Sequence, residues 1–209
     1  MAFVDLASRE IHCKIVYYGP GLGGKTANLR YLSEHSRPDL RGRLISLSTD
    51  TDRTLFFDFL PVDLAPLRGF RPRLNLYTVP GQVFYDAARR AVLRGADGIV
   101  FVADSQEARL HANVESIRNL DGHLRSYDRD IAEIPYVLQL NKRDLPSALP
   151  AGELWRRLNI KGEPTIEATA PAGQGVLETL KTAAREVLMD LRRRPVPRLV
   201  PPVLAGGQG

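Results

Sequence analysis

Eight consecutive residues near the N-terminus have the types and the spacing that bind phosphate groups. Segment 19–26 reads Gly-Pro-Gly-Leu-Gly-Gly-Lys-Thr and fits the pattern G-x-x-x-x-G-K-[ST] without a departure. Its glycines allow the backbone to approach an anion without a Cβ clash. Lys25 can reach the β- and γ-phosphates of a nucleotide as a point charge, and the Thr26 hydroxyl can bind Mg²⁺, which prefers oxygen ligands. A glycine-rich turn that happens to precede Lys-Thr is the alternative.

The residues on either side of this loop decide between the two interpretations. Residues 11–18 are rich in β-branched and aromatic side chains, which predicts a strand. Residues 27–32 are good helix formers with apolar positions at helical spacing. A strand, a glycine loop and a helix in this order direct backbone N–H groups and a helix N-terminus at one point. The context therefore favours a phosphate-binding loop.

A second polar motif, Asn141-Lys142-Arg143-Asp144, directly follows the predicted strand 135–140. The Asp144 carboxylate can accept hydrogen bonds from a ring N–H and an exocyclic amine of a purine, a donor pair that guanine has and adenine lacks. Asn141 can hydrogen-bond the far edge of the purine and tie loops together, while the stem of Lys142 covers the ring face. Alone, this tetrapeptide is equally well a polar turn, but after a complete phosphate loop it indicates guanine recognition.

A third segment, Glu167-Ala168-Thr169-Ala170, follows the last predicted strand. Its backbone N–H groups are placed to meet the carbonyl of guanine, and Ala170 is the best candidate for that contact. The segment is a weak signal by itself and depends on the two motifs before it.

Alternating strands and helices are expected to position these motifs. Strands are predicted near 11–18, 43–48, 55–60, 73–78, 98–103, 135–140 and 164–168, and helices near 25–35, 84–93, 106–126, 151–157 and 174–192. The strands 98–103 and 135–140 are mostly apolar without alternation, which is typical of strands covered by helices on both faces.

One segment departs from the parallel pattern. Residues 55–78 hold two strands joined through Pro61, Pro66 and Gly69, which predicts an antiparallel hairpin at one edge. The predicted fold class is therefore α/β, with a mostly parallel sheet and one antiparallel edge strand. In such sheets, ligands bind beyond the carboxyl ends of the strands, where the three polar motifs are found.

Length and composition limit the number of domains, the kinds of partner and the presence of disulfides. The 209 residues suit one domain, and 44% hydrophobic with 25% charged residues is ordinary for a globular protein. The formal charge of +5 comes from scattered basic residues, so no nucleic-acid partner is expected. The single cysteine, Cys13, excludes an internal disulfide and falls in the first predicted strand, where it is interpreted as a small core residue.

The two ends of the chain carry no recognisable targeting signal. There is no secretory pattern, no run of about twenty apolar residues, and no myristoyl or prenyl motif. A cytoplasmic protein without a direct lipid anchor is expected. Residues 1–194 are expected to form the folded domain and the Pro/Gly-rich residues 195–209 a disordered tail, with a proline-rich recognition segment as the less favoured alternative.

The three polar motifs together resemble those of the Ras-like small GTPases, over about residues 10–192. One departure from the Ras-like motifs indicates a particular subfamily. Ras-like proteins carry Asp-x-x-Gly after the strand 73–78, whereas this chain reads Thr-Val-Pro-Gly-Gln at 78–82. That segment, with 14–21 and 53–59, resembles the MglA family of bacterial polarity and gliding-motility GTPases. The resemblance implies a three-layer P-loop NTPase fold, GTP/GDP and Mg²⁺ as ligands, GTP hydrolysis, and recruitment to a cell pole.

The resemblance also implies roles for residues after the strand 73–78. Gly81 is expected to give its N–H to the γ-phosphate, and Gln82 stands where Ras-like enzymes orient the attacking water. Thr78 replaces the aspartate that holds Mg²⁺ through water, so weaker Mg²⁺ retention is expected. Asp104, at the end of the next strand, is a partial substitute, although we favour a loop or helix-cap role for it.

The first switch is expected in the polar segment 46–54. Thr54 directly precedes a predicted strand and is chosen over Thr49 and Thr51 as the metal-sensing threonine. Arg53 is a candidate arginine finger supplied by the chain itself. An exposed arginine that faces a partner is an equally good interpretation of Arg53.

The second switch is expected in residues 83–90. Phe84 and Tyr85 indicate a partner-binding surface there, although core packing explains Phe84 nearly as well. Both switches together would form the face that effectors read. The family resemblance further implies an activator of the roadblock class, similar to MglB, that stimulates hydrolysis.

The favoured function is a GTP-hydrolysing switch. A GTP-gated adaptor with negligible hydrolysis is the alternative, because Thr78 replaces the aspartate on the metal side. Asp144 argues against a third possibility, an ATP- or nucleic-acid-dependent enzyme. The residues expected to bind nucleotide are Gly19, Gly21, Gly23, Gly24, Lys25, Thr26, Ala27, Thr78, Gly81, Asn141, Lys142, Asp144, Thr169 and Ala170; the expected metal ligands are Thr26 and Thr54, and the expected catalytic residues are Gln82 and Arg53.

Overall fold

A computed structural model describes residues 3–5, 7–47, 57–66, 69–80 and 85–193. The strands are β1 Phe3–Asp5, β2 Glu10–Tyr18, β3 Ile45–Leu47, β4 Phe57–Asp63, β5 Arg71–Thr78, β6 Gly98–Asp104, β7 Tyr136–Asn141 and β8 Thr165–Glu167. The helices are α1 Lys25–His35, α2 Asp86–Leu93, α3 Leu110–Arg125, α4 Ala151–Leu158 and α5 Val176–Arg193. Short 3-10 turns lie at Pro38–Leu40, Glu107–Arg109 and Ala170–Ala172.

The strands form one sheet in the order β3-β4-β5-β2-β6-β7-β8, with β1 pairing antiparallel to β2. Strands β5, β2, β6, β7 and β8 are parallel neighbours, whereas β4 runs antiparallel to both β3 and β5. The expected fold class, a mostly parallel α/β sheet with an antiparallel edge, is confirmed. The carboxyl ends of β2, β6, β7 and β8 consequently meet at one edge, which brings the polar motifs together.

The structure differs from the predicted elements in three places. Strand β1 was not predicted, because three residues are too few to show a periodic pattern. Strand β4 continues through Pro61, which lies beyond the stretch of β4 that pairs with the short β3. At this position the Gly42 N–H donates to the Pro61 carbonyl at 2.9 Å. Pro61 is tolerated there because a position near the sheet edge needs no N–H donor. The predicted helix 106–126 is divided into a 3-10 turn and α3.

Two hydrophobic cores lie on opposite faces of the sheet because successive strand side chains alternate. The side chains facing α1 and α5 include Ile15, Tyr17, Val100, Val102 and Val137. The side chains facing α2, α3 and α4 include Val16, Tyr18, Ile99, Phe101 and Leu138. Every residue of β6 and β7 is buried, as expected for central strands covered on both faces. Within the described residues, no helix has both the length and the apolar character needed to cross a bilayer.

A buried polar network joins helices α1 and α5 to the centre of the sheet. The side-chain amides of Asn28 and Gln139 exchange two hydrogen bonds of 2.9 Å, and Gln139 Nε2 also donates to Thr179 Oγ1 at 2.8 Å. All three residues are fully buried. Since buried polar groups are costly unless paired, this network fixes how α1, which begins at the phosphate loop, sits on the sheet.

Replacing Gln139 with leucine should therefore destabilise the fold. The change keeps the side-chain size but leaves the Asn28 carbonyl oxygen without its amide donor, at a cost of about 2 kcal/mol in the free energy of unfolding. Denaturant unfolding monitored by circular dichroism measures the effect. Gln174→Leu, the same substitution at an exposed position, should change stability by less than about 0.5 kcal/mol. Equal midpoints for both variants would contradict the proposed role of the network.

Candidate functional site

The backbone of the phosphate loop lies so close to neighbouring strands that two of its positions admit only glycine. Gly19 has φ +140°, and a Cβ there would lie 2.3 Å from the Val102 carbonyl oxygen. Gly24 has φ +101°, and its Cβ would lie 2.1 Å from Nδ2 of Asn141. Helix α1 begins directly after the loop, with no side-chain cap and no acid in its first turn. The N-terminal N–H groups of α1 are therefore left to an anion or to water.

Lys25, the first residue of α1, lies buried beneath the loop. Its Nζ donates to the carbonyl oxygens of Gly19 at 2.8 Å and Pro20 at 2.7 Å. Burial, and secondarily the nearby cation of Arg89, lower the pKa of Lys25 to about 7, while the Asp58 carboxylate acts in the opposite direction. An anion placed in the loop would favour the charged form of this lysine. Arg89 itself comes from α2 and is only 4% exposed.

A buried carboxylate lies at the start of α1. Asp58, on β4, accepts hydrogen bonds from the hydroxyls of Thr26 at 2.6 Å, Thr78 at 3.0 Å and Ser46 at 2.7 Å. The Asp58 N–H in turn donates to Thr78 Oγ1 at 2.8 Å. The arrangement concentrates oxygen atoms around the hydroxyl that the sequence assigns to a metal.

Asp58 was not predicted to be a site residue. A signal was available, because Asp58 alternates with Leu60 and Val62 on the buried face of β4. A carboxylate at an inward-facing strand position is rare unless it has partners. Arg89 was missed for a different reason, since the sequence showed only one member of a basic pair on a predicted helix.

Asp104 is engaged elsewhere in the site. Its carboxylate is fully buried and lies 2.7 Å from Nζ of Lys142 and 3.8 Å from Nε of Arg109. Its Oδ1 also accepts from the N–H of Gln106 at 3.2 Å. Asp104, the last residue of β6, thus bonds to the turn and the motif next to it, and Asp58 is the carboxylate beside Thr26.

Asn141 joins the three polar motifs. At the end of β7, its Nδ2 donates to the Gly23 carbonyl at 2.8 Å, and its Oδ1 accepts from the Ala170 N–H at 2.9 Å. In this structure the Ala170 N–H that was expected to meet guanine is therefore engaged by Asn141. Thr169 is buried beside it, whereas Asp144 is exposed at the rim.

The remaining predicted residues divide into two groups. Gly21 and Ala27 lie in the loop and in α1, next to the residues just described. Arg53, Thr54, Gly81 and Gln82 lie outside the described residues, as does Phe84 of the expected partner surface.

The donor atoms around Thr26 suit a hard cation. Within the described part of the chain, no three histidine, cysteine, aspartate or glutamate side chains are grouped as metal ligands. Mg²⁺, however, is commonly bound by one or two carboxylates with substrate phosphates and water, and it takes oxygen ligands. Asp58 with the hydroxyls of Thr26 and Thr78 is such an all-oxygen set.

Replacing Thr78 with aspartate should destabilise the nucleotide-free protein. The new carboxylate would lie within hydrogen-bond distance of Asp58, and two like charges in a buried site disfavour the folded state. We expect a loss of about 2 kcal/mol in the free energy of unfolding at pH 8. Denaturant unfolding of Thr78→Asp, Asp58→Asn and the double variant measures the interaction, with Thr78→Asn as the neutral control. A loss that persists unchanged in the Asp58→Asn background would contradict the repulsion.

Comparison with known proteins gives a consistent set of relatives. No protein-family model matches the chain. The chain is 55% identical over 193 residues to the mutual gliding-motility protein MglA of Myxococcus xanthus, covering 92% of this chain and 99% of that protein. It is 27% identical over 158 residues to the Ras-related protein Rab-8B of Bos taurus, covering 72% and 73%. Identity to the ADP-ribosylation factor-like protein 4D of Bos taurus is 31% over 116 residues, covering 55% and 56%.

Proposed function

The chain belongs to the MglA family of Ras-like small GTPases, and from this premise we propose how its own residues bind and use GTP. It binds guanine nucleotide and hydrolyses GTP. The observation that carries the proposal is the side chain of Asn141, which bonds to Gly23 of the phosphate loop and to Ala170 of the third motif. One nucleotide can then contact all three motifs.

We propose the following roles for the nucleotide-binding residues. The N–H groups of the phosphate loop and of the first turn of α1 bind the phosphates, together with Lys25. Asp144 accepts from the two donors on the guanine edge, and the stem of Lys142 covers the base. The Ala170 N–H is shared between Asn141 and the guanine carbonyl, because Asn141 already accepts from it.

The proposed Mg²⁺ site uses a carboxylate from a different strand than in Ras-like relatives. Thr26, and Thr54 of the first switch, provide hydroxyl ligands. Asp58 provides the carboxylate, because its Oδ2 lies 2.6 Å from Thr26 Oγ1 and 3.0 Å from Thr78 Oγ1. The weaker metal retention expected from Thr78 is then offset by Asp58. When bound, Mg²⁺ neutralises negative charge on the phosphates.

Hydrolysis is proposed to depend on residues outside the described part of the chain. Gln82 orients the attacking water, and Arg53 stabilises the charge that develops on the γ-phosphoryl group. The buried cation of Arg89 beside Lys25 adds positive potential at the phosphate loop.

The proposed biological role is the control of cell polarity and gliding motility. The relative with 55% identity is named as a mutual gliding-motility protein. We propose a cytoplasmic protein that is recruited to a cell pole, an activator of the roadblock class similar to MglB, and effectors that bind the two switches. Nucleotide exchange and hydrolysis would change affinity for these partners.

Single-turnover GTP hydrolysis tests the switch mechanism. The wild-type chain, Gln82→Ala and Arg53→Ala are compared, each with and without a purified roadblock-class activator. We expect activator-dependent turnover in wild type and a loss of at least about 100-fold in both variants, while fluorescent GTP binding is retained. Tight GTP binding without turnover in wild type would instead support the GTP-gated adaptor. Full turnover by Arg53→Ala would assign that residue to a solvent-exposed surface.

A further inference from the structure

Arg109 reaches from the 3-10 turn before α3 to the backbone of the phosphate loop. Its Nη2 donates to the Gly21 carbonyl oxygen at 2.8 Å, across 88 positions of the chain. The guanidinium is partly buried, with 36% of the side chain exposed. A hydrogen bond from a cation to a carbonyl is stronger than a hydrogen bond between neutral groups. This contact can therefore orient the peptide group to which the Gly21 carbonyl belongs.

That peptide group is the one between Gly21 and Leu22. No peptide bond of the described chain is cis, and in a planar trans peptide the C=O and N–H point in opposite directions. Because Arg109 holds the carbonyl, the Leu22 N–H must point away from Arg109. A phosphate loop works through the direction of its N–H groups, so the orientation of this one peptide bears on phosphate binding.

The backbone at Leu22 would not keep this orientation without support. Leu22 has φ +62°, in the left-handed region that costs an L-residue about 1–2 kcal/mol. Its side chain is 87% exposed and therefore gains little from packing that could offset the strain. Rotation of the Gly21–Leu22 peptide would relieve the strain at Leu22 and would turn the Leu22 N–H away from its phosphate-binding direction. The hydrogen bond from Arg109 opposes that rotation.

Arg109 lies beside the same carboxylate that pairs with Lys142 of the guanine-recognition motif. The fully buried Asp104 lies between Nζ of Lys142 at 2.7 Å and Nε of Arg109 at 3.8 Å. The Asp104 backbone is itself fixed, since its N–H and C=O bond to the side chain of Asn113 at 3.0 and 2.8 Å. The Asp104 carboxylate thus lies between a cation of the guanine-recognition motif and a cation that contacts the phosphate loop.

We propose that Arg109 is a positioning residue that holds the Gly21–Leu22 peptide in its phosphate-binding orientation, and that Asp104 couples it to Lys142. The proposal rests on the guanine-nucleotide binding described above and extends it to a residue outside the three motifs. A simple surface ion pair does not describe Arg109, because its contact with Asp104 at 3.8 Å is too long for a hydrogen bond and its short contact is with the loop carbonyl.

The test is the dissociation rate of fluorescent GDP from the full chain, chased with excess unlabelled GDP at fixed Mg²⁺. Arg109→Ala should release GDP about tenfold faster than wild type, because one charge-assisted hydrogen bond that supports the loop is lost. Arg109→Lys should recover part of the difference. Arg125→Ala is the matched control, since Arg125 pairs with Asp121 at 2.9 Å at the far end of α3 and should leave the rate unchanged.

A second readout separates a positioning role from general destabilisation. Arg109→Ala should unfold at the wild-type temperature without nucleotide and keep the wild-type preference for GDP over IDP, which lacks the exocyclic amine. Asp144→Asn should reduce that preference. Asp104→Asn, which releases both Arg109 and Lys142, should accelerate dissociation at least as much as Arg109→Ala.

The outcomes are distinct. GDP release from Arg109→Ala within about twofold of wild type, or an equal acceleration in Arg125→Ala, would overturn the proposal while leaving the proposed function intact. Loss of the preference for GDP over IDP in Arg109→Ala would assign the residue to base recognition and likewise overturn it. A wild-type chain that binds no GDP would overturn the proposed function and this inference together.

Discussion

The site depends on one steric constraint, the close approach of the phosphate loop to the ends of two central strands. Gly19 lies close to the carbonyl of Val102 on β6, and Gly24 lies close to the side chain of Asn141 at the end of β7. An added Cβ at either position would push the loop away from the sheet. The same approach lets Asn141 bond to the Gly23 carbonyl, so the requirement for glycine and the connection between the phosphate and guanine motifs have one cause.

A second organising feature is the distribution of buried charge. Lys25 lies beneath the loop, where the Arg89 guanidinium acts on it electrostatically, and the Asp58 carboxylate lies at the start of α1. Asp58 reaches Thr26 because it lies beside Thr78 across the β4–β5 pair, and neighbouring strands are only about 4.8 Å apart. Moving a carboxylate sideways by one strand keeps it within reach of the same hydroxyl. The chain thus retains an acidic group beside Thr26 although Thr78 replaces the aspartate of its Ras-like relatives.

A third feature is the position of two partly buried cations beside a buried internal anion. Asp104 is fixed through its backbone by Asn113, pairs with Lys142 at 2.7 Å and lies 3.8 Å from Arg109. Long cationic side chains lose considerable conformational freedom when they are held in one position, and a carboxylate that is already fixed adds no ordering cost of its own. The guanine motif and the phosphate loop are connected through Asp104 as well as through Asn141.

Features that depend on the local order of residues could be predicted from the sequence. The strand, glycine loop and helix around residues 19–26 could be predicted because a phosphate loop is built from consecutive residues. The strands β6 and β7 could be predicted because unbroken hydrophobic runs indicate burial on both faces. The mostly parallel sheet with an antiparallel edge followed from the order of these elements.

The contacts between side chains of different strands and turns became visible only in the folded chain. The roles of Asp58 and Arg109 rest on contacts 32 and 88 positions apart, with Thr26 and Gly21 respectively. In the sequence, Asp58 is an inward-facing acid of a predicted strand and Arg109 is an arginine before a helix, and neither pattern identifies the residue that it contacts. Strand β1 was likewise decided by its pairing with β2, since three residues have no period of their own. Such contacts are set by sheet register and loop placement, which the local sequence does not encode.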